Sequence, residues 1–255
     1  MTLFANPVTA VEELRRDRLL VVARNYFPDV DLHDDYIYNK LLAAEKEVER
    51  RLRIFLEPTV MLPEGGTQDD RDALDADSTR WVQEPGYDLE RNFFQGDTWG
   101  FIPLRQKPAI EVESIKFVYP HPLHGIFVVP NDWIRIDKKY AHLRMVPSTT
   151  AALAPLNMFV MQAISGGRMF PQMIHVRYRA GLEDAETNHP DVIDLIKKIA
   201  AVKIIDDMYL PQTGSESIDG MSQSLSLDTA KFSEKNEEQI DILRQSFHGI
   251  RLAVM

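Results

Sequence analysis

Two histidines three residues apart, His121 and His124 in PHPLHG, have a spacing at which a helix would turn both rings toward one metal ion. Pro120 and Pro122 oppose a helix there, so the stretch reads as a turn carrying two exposed imidazoles. His189 stands near Glu183, Asp184, Glu186 and Asp191, the residue types of a carboxylate–histidine site. The same acids complement the dipole of the helix that follows, which explains them without catalysis. His175 points outward in a strand pattern and reads as a surface residue. Trp81, Trp99 and Trp133 could line a sugar site, but aromatics scattered through a strand-rich region more often fill a core. The run Glu64 to Ser78 carries Glu64, Asp69, Asp70, Asp72, Asp75 and Asp77 against Arg71 alone. It lacks the ligand spacing of a calcium loop and reads as a solvated acidic loop. No G-x-S-x-G, Gly-Lys-Ser/Thr phosphate loop, G-x-G-x-x-G or H-E-x-x-H occurs. The residues therefore support no enzyme assignment, no cofactor and no metal. A carbohydrate-binding or hydrolase module using the three tryptophans stands as the alternative of another class.

Bulk properties narrow the field further. The chain has 255 residues, 44% hydrophobic and 27% charged, enough for one large domain or two small ones. It has no cysteine, which excludes disulfides, thiolate metal sites and a cysteine nucleophile. The net charge of -10 opposes a phosphate-gripping groove. Arg15-Arg16, Arg50-Arg51 and Lys197-Lys198 are short basic pairs on expected helices and read as solvated faces. No apolar run is long enough to cross a bilayer. The first residues, MTLFANPVTAVEELRRD, lack the basic start and apolar block of a signal peptide, so synthesis in the cytoplasm is expected.

The elements that would position these residues fall into two kinds. A helix is expected from Thr9 to Asn25, with Thr9 and Glu12 as a capping box and Val11, Leu14, Leu19 and Val22 on its apolar side. A stronger one runs from Asp34 to Phe55, where Ile37, Leu41, Ala44, Val48, Leu52 and Phe55 recur at spacings of three and four. From Arg80 to Arg179 the period becomes two. Ile110 and Val112 alternate, the phase shifts after Ser114, and Ile115, Phe117 and Tyr119 continue, which predicts a bulge. Further short strands are expected at 126–129, 133–136, 143–146 and 174–179. Pro190 then opens a helix that is apolar over more than half its circumference, so it must be covered on most sides. A last helix is expected from Ala230 to His248, with Phe232, Ile240, Leu243 and Phe247 on one side. The expected fold class is α+β. A helical core of about four helices takes residues 1–57 and 180–255, and an antiparallel sheet or small barrel, 58–179, is inserted in it.

The order of parts carries a resemblance. HDDYIYNKLLAAEKEVERRL is followed by the strand-rich insert, then by VRYRAGLEDAETNHPDVIDLIKKIAAVKI, then by SIDGMSQSLSLDT and a final helix. This resembles the head–tail connector, or adaptor, proteins of tailed bacteriophages, which sit beneath the portal and join capsid to tail. The most telling pieces are Tyr178-Arg179-Ala180-Gly181 and the stretch Ser217 to Ser224. Small members of the family are nearly all helical, so the insert is a departure from them.

The resemblance implies a virion protein of the neck, made in the host cytoplasm and forming a dodecameric ring of copies of itself. Its other partners would be the portal protein and tail or neck proteins, with DNA passing through the ring without tight binding and no membrane involved. Another neck or tail-completion protein is the alternative within the same setting. An acidic channel wall would repel phosphates, and the Glu64 to Ser78 loop and the glutamates of the second helix are candidates for it. The resemblance also favours a role for the serine-rich stretch as an arm adding to a neighbouring chain's sheet edge. Ser217, Ile218, Met221, Ser222, Ser224 and Leu225 would lie in this arm, with a turn at Asp219-Gly220. A plain exposed loop is the other reading. After His248, Ile250, Leu252, Val254 and Met255 form an apolar tail expected to dock on the portal or an adjacent subunit, against the alternative of a frayed terminus.

Overall fold

The computed structural model describes residues 3–4, 6–26, 31–90, 93, 100–118, 126–146, 169–208 and 229–248. The chain divides into two compact units. One is Ile54–Glu183, and the other combines Thr2–Arg53 with Asp184–Met255. The class is α+β, with seven helices among the described residues.

The second unit is helical. Helix α1, Pro7–Arg15, starts where the Asn6 side chain accepts from the Val8 and Thr9 amides at 3.2 and 3.4 Å, with Pro7 in the first turn. The cap is thus Asn6, not the expected Thr9. The single helix expected from Thr9 to Asn25 is also broken. Asp17 Oδ1 accepts from Leu19 N at 2.8 Å and starts α2, Arg18–Tyr26. The break rotates the apolar face. Val11 and Leu14 are buried as expected, but Leu20 and Ala23 replace Leu19 and Val22 inside.

Helix α3, Asp34–Leu52, keeps its predicted stripe. Ile37, Leu41, Ala44, Val48 and Leu52 are all fully buried. It stops before Phe55 because Arg53 adopts a left-handed conformation, φ 55°. A short turn of helix, α5 at Ala185–Asn188, precedes α6, Pro190–Met208. Helix α6 is buried at Val192, Leu195, Ile196, Ile199, Ala200, Ala201, Val202, Ile204 and Ile205. It lies against α2, α3 and the last helix, α7, Thr229–His248, so its covering comes from within its own unit. Helix α7 contributes Ile240 and Leu243 to the core, while Phe232 stays 37% exposed and Phe247 is half-buried.

The other unit is built on β9, Phe170–Ala180. Antiparallel to it on one side runs β5, Ala109–Val118, followed by β6, Ile126–Val128. On the other side are β1, Thr59–Pro63, and β3, Tyr87–Leu89. Strand β2, Trp81–Glu84, lies beyond β1 and parallel to it. The sheet is therefore mixed rather than antiparallel throughout. The parallel pair is joined by α4, Gln68–Ala76, in a strand–helix–strand crossover. That helix occupies most of the run expected as an acidic loop. Thr67 and Asp70 cap it reciprocally, and buried Leu74 anchors it. A second, antiparallel sheet has the order β4 (Ile102–Pro103), β8 (His142–Met145), β7 (Ile134–Asp137). No closed barrel occurs among the described residues.

The expected phase change in β5 appears as register shifts on β9, one of them between Val112 and Ser114. Beyond it Ile115 and Phe117 turn inward. They join Ile174, Val176 and Tyr178 of β9 and Ile102, Trp133, Leu143 and Met145 in one apolar core. Gly181 has φ 120°, and a Cβ there would lie 2.4 Å from the Glu57 carbonyl oxygen. Only glycine fits that crossing.

Candidate functional site

The residues singled out as a contact site, Ser217, Ile218, Asp219, Gly220, Met221, Ser222, Ser224, Leu225, Ile250, Leu252, Val254 and Met255, lie outside the described residues. Their attachment points within the helical unit are described. The serine-rich stretch leaves α6 after Met208, itself 39% exposed, and enters α7 at Thr229. The tail follows a fixed helix end. His248 Nε2 lies 2.6 Å from the Leu52 carbonyl oxygen, Arg244 donates to the Arg51 carbonyl oxygen, and Phe247 packs on His189 at 5.5 Å between ring centroids. His189 is thus an aromatic packing partner at the mouth of α6. Among the described residues no cluster of His, Asp and Glu could hold a metal.

Helices α2, α6 and α7 frame a groove of about 490 Å³. Leu19, Val22, Val202 and Phe232 line it, with Asp17, Arg18, Lys198 and Asn236 among them. Several cations of the helical unit are engaged. Arg15 reaches Asp34 and the Leu32 carbonyl oxygen, Arg16 pairs with Glu12, Lys197 with Glu13 and Lys198 with Asp194. Arg51 bridges Glu47 and Glu237, and Lys203 also holds Glu47. Burial would raise the Glu47 carboxyl, but Lys203 and Arg51 outweigh it and leave the carboxyl below its usual range. Apart from Arg50, which donates to the Lys46 carbonyl oxygen, the members of the basic pairs are ion-paired on helix faces. Glu45 and Glu49 of α3 are 1% and 9% exposed, so neither can face a channel.

The strand unit holds a buried polar knot that sequence reasoning missed. Glu84 Oε1 accepts from the Tyr87 hydroxyl at 2.9 Å, and its Oε2 accepts from the Tyr178 hydroxyl at 3.2 Å. Each tyrosine oxygen also accepts a backbone N–H, from Arg105 at 3.1 Å and Gln106 at 3.2 Å. The Arg105 guanidinium lies 4.1 Å from the centre of the Tyr87 ring and donates to the Gly86 carbonyl oxygen at 2.9 Å. Burial raises the Glu84 carboxyl against the pull of Tyr87 and Arg105. Burial and the neighbouring Glu84 push the Tyr87 hydroxyl up to about 12, and Tyr178 is raised further. These groups are satisfied by one another and all but closed to solvent, which suits fastening β2, β3 and β9 together and not turnover. Glu84 and Tyr87 are close in sequence, but Arg105 and Tyr178 are distant from them and the four share no motif.

Among the described residues, Trp81 and Trp133 are each engaged otherwise than in an open aromatic platform. Trp133 is 5% exposed within the core, and the Trp81 indole donates to Asp75 at 2.8 Å; Trp99 lies outside the described residues. His121 and His124 also lie outside them. His175 is half-covered rather than open. A Cβ on Gly86 would stand 3.0 Å from its ring, and burial holds its pKa below the ordinary value.

A different surface brings cations and rings together. On the outer face of the three-stranded sheet, Arg135 and Arg144 are register partners on β7 and β8. Exposed His142 packs between Phe101, at 5.2 Å, and Tyr140, at 6.0 Å. Arg144 sits over the Phe101 ring and Lys139 over the Tyr140 ring.

No family model matches the chain, and no curated protein matches it. Two solved structures are similar to it. The neck of an empty gene transfer agent particle, computed with C6 symmetry, contains a chain 12% identical, with 88% of this chain and 83% of that one covered and a TM-score of 0.40. The virion of a native gene transfer agent particle contains one 12% identical, with 100% and 97% covered and a TM-score of 0.38. Likeness at that level fixes neither fold nor function.

Proposed function

We propose that this chain is a structural, non-catalytic component of the neck of a phage-like virion. It acts as a head-to-tail adaptor that forms a ring with copies of itself, meets the portal and tail proteins, and lets DNA pass. The observation that carries this reading is the sequence resemblance, which rests on the order of parts and on the Tyr178 to Gly181 and Ser217 to Ser224 pieces. The helical unit supports it: both contact segments leave its helices, and Val8, Val21, Met208, Phe232 and Ile242 remain exposed on it. Deep burial of Trp133 weighs against the sugar-site alternative as far as it rests on that residue. The two particle structures name the same setting but add no weight.

Native mass spectrometry and negative-stain microscopy of the full chain, alone and with its cognate portal, test the reading. A ring is expected under at least one condition. Deleting Ile250 to Met255, or replacing Ser217 to Ser226 with a Gly/Ser linker of equal length, should weaken assembly and leave the far-ultraviolet spectrum of the monomer unchanged. Normal assembly by both variants would remove these segments as contacts.

A further inference from the structure

The strand unit carries two surfaces of opposite charge on opposite sides of β9. Helix α4 lies on the face of the odd-numbered side chains, where Arg177 Nη1 meets Asp70 Oδ1 at 3.1 Å. The three-stranded sheet packs on the other face, against Ile174, Val176 and Tyr178. Residues 135–144 contain Arg135, Lys138, Lys139 and Arg144 against Asp137, in a chain whose net charge is -10. All four cations are exposed. Among the described residues, Arg135, Lys138 and Lys139 form no ion pair with a carboxylate. Arg135 and Arg144 stand directly opposite each other across the strands, an arrangement that repels. On α4, Asp69, Asp72 and Asp75 are exposed at spacings of three, which places like charges along one side of the helix. The two surfaces are thus complementary in charge. The basic one also presents Tyr140, 39% exposed, beside His142 and Arg144, the ring and guanidinium types that anchor protein interfaces.

We propose that the outer face of the three-stranded sheet, with Arg135, Lys138, Lys139 and Arg144 around Tyr140 and His142, docks on the Asp69–Asp72–Asp75 stripe of α4 in a second copy. The inference rests on the ring-forming reading and names its interface. Two unlike patches on opposite sides of one body make a head-to-tail contact, the kind that closes into rings when the rotation between copies allows. The acids of α4 then face a neighbour rather than a central passage.

The absence of cysteine makes the test clean. Full-length Lys139→Cys and Asp72→Cys variants are prepared separately, concentrated, and treated with a short bismaleimide, alone and mixed. A crosslinked dimer is expected in the mixture and not in either variant alone. In the Lys139→Cys variant, Arg135→Glu with Lys138→Glu should abolish it, and Asp69→Lys in the Asp72→Cys partner should restore part of it. If native mass spectrometry shows oligomers but the mixture crosslinks no better than the single variants, the interface is wrong and the ring reading stands. If no oligomer forms alone or on the portal, the ring reading falls and this inference falls with it. If a labelled DNA oligonucleotide binds the chain, and that binding rather than the crosslink is lost on Arg135→Glu with Lys138→Glu, the face belongs to nucleic acid and the proposal is overturned.

Discussion

The helical unit and the strand unit solve the same packing problem differently. In the helical unit, α3 and α6 place apolar side chains at helical spacing against each other, and charges stay on the faces, where Lys40 meets Asp207 and Arg51 meets Glu237. Such exposed pairs contribute little each. In the strand unit, the neighbouring short strands β2 and β3 meet the distant long strand β9 around a buried carboxylate, and the fastening is a set of directed hydrogen bonds. Apolar packing tolerates small rearrangements of shape. A buried hydrogen-bonded knot does not, since every orphaned group carries its full desolvation cost.

The contrast yields graded expectations. The largest effect belongs to the apolar side. Leu41→Ala empties a fully buried position in α3 and should cost about 2–5 kcal/mol in chemical denaturation. A cost below about 1 kcal/mol would mean that the site collapses freely, against the dense packing expected of a core.

The knot comes next. Glu84→Ala leaves the Tyr87 and Tyr178 hydroxyls without their shared acceptor and should cost about 1–3 kcal/mol. Glu84→Gln keeps an acceptor and should cost less. Equal losses from the two substitutions, measured by the same denaturation, would show that the hydrogen bonds to Glu84 do not fasten the strands.

The smallest effect is a pH dependence. The His175 pKa is lowered in the folded chain, mainly by burial. Its contribution is therefore fully present above the unfolded value of about 6.5 and is lost as pH falls through the lower folded value. His175→Gln should flatten the thermal midpoint against pH on the acid side of 6.5 and leave the neutral side unchanged. An unaltered acid limb would show that another group titrates there.

Much of this was legible before any coordinates. The stripe of α3 and the apolar run of α6 announced themselves by period, and β5 showed its irregularity as a change of phase at Ser114. Other features were hidden for identifiable reasons. The acidic composition of residues 64–78 concealed α4, although Thr67 and Asp70 spell a capping box at its start. Asp17 sits inside a continuous helical pattern, and nothing local says that its side chain will cap a new helix. The run Val60-Met61-Leu62 in β1 is buried at every position, so it has no alternation to read.

Local chemistry, written in the order of residues, determined where the chain turns helical or extended, which faces turn inward, the left-out thiol chemistry and the resemblance to a connector. Tertiary structure alone decided that Glu84, Arg105 and Tyr178 share a knot with Tyr87, and that a basic sheet face and an acidic helix lie on opposite sides of β9. These are relations between distant segments. They arise from strand order and register, which depend on how the whole sheet closes its core and not on any neighbouring residue.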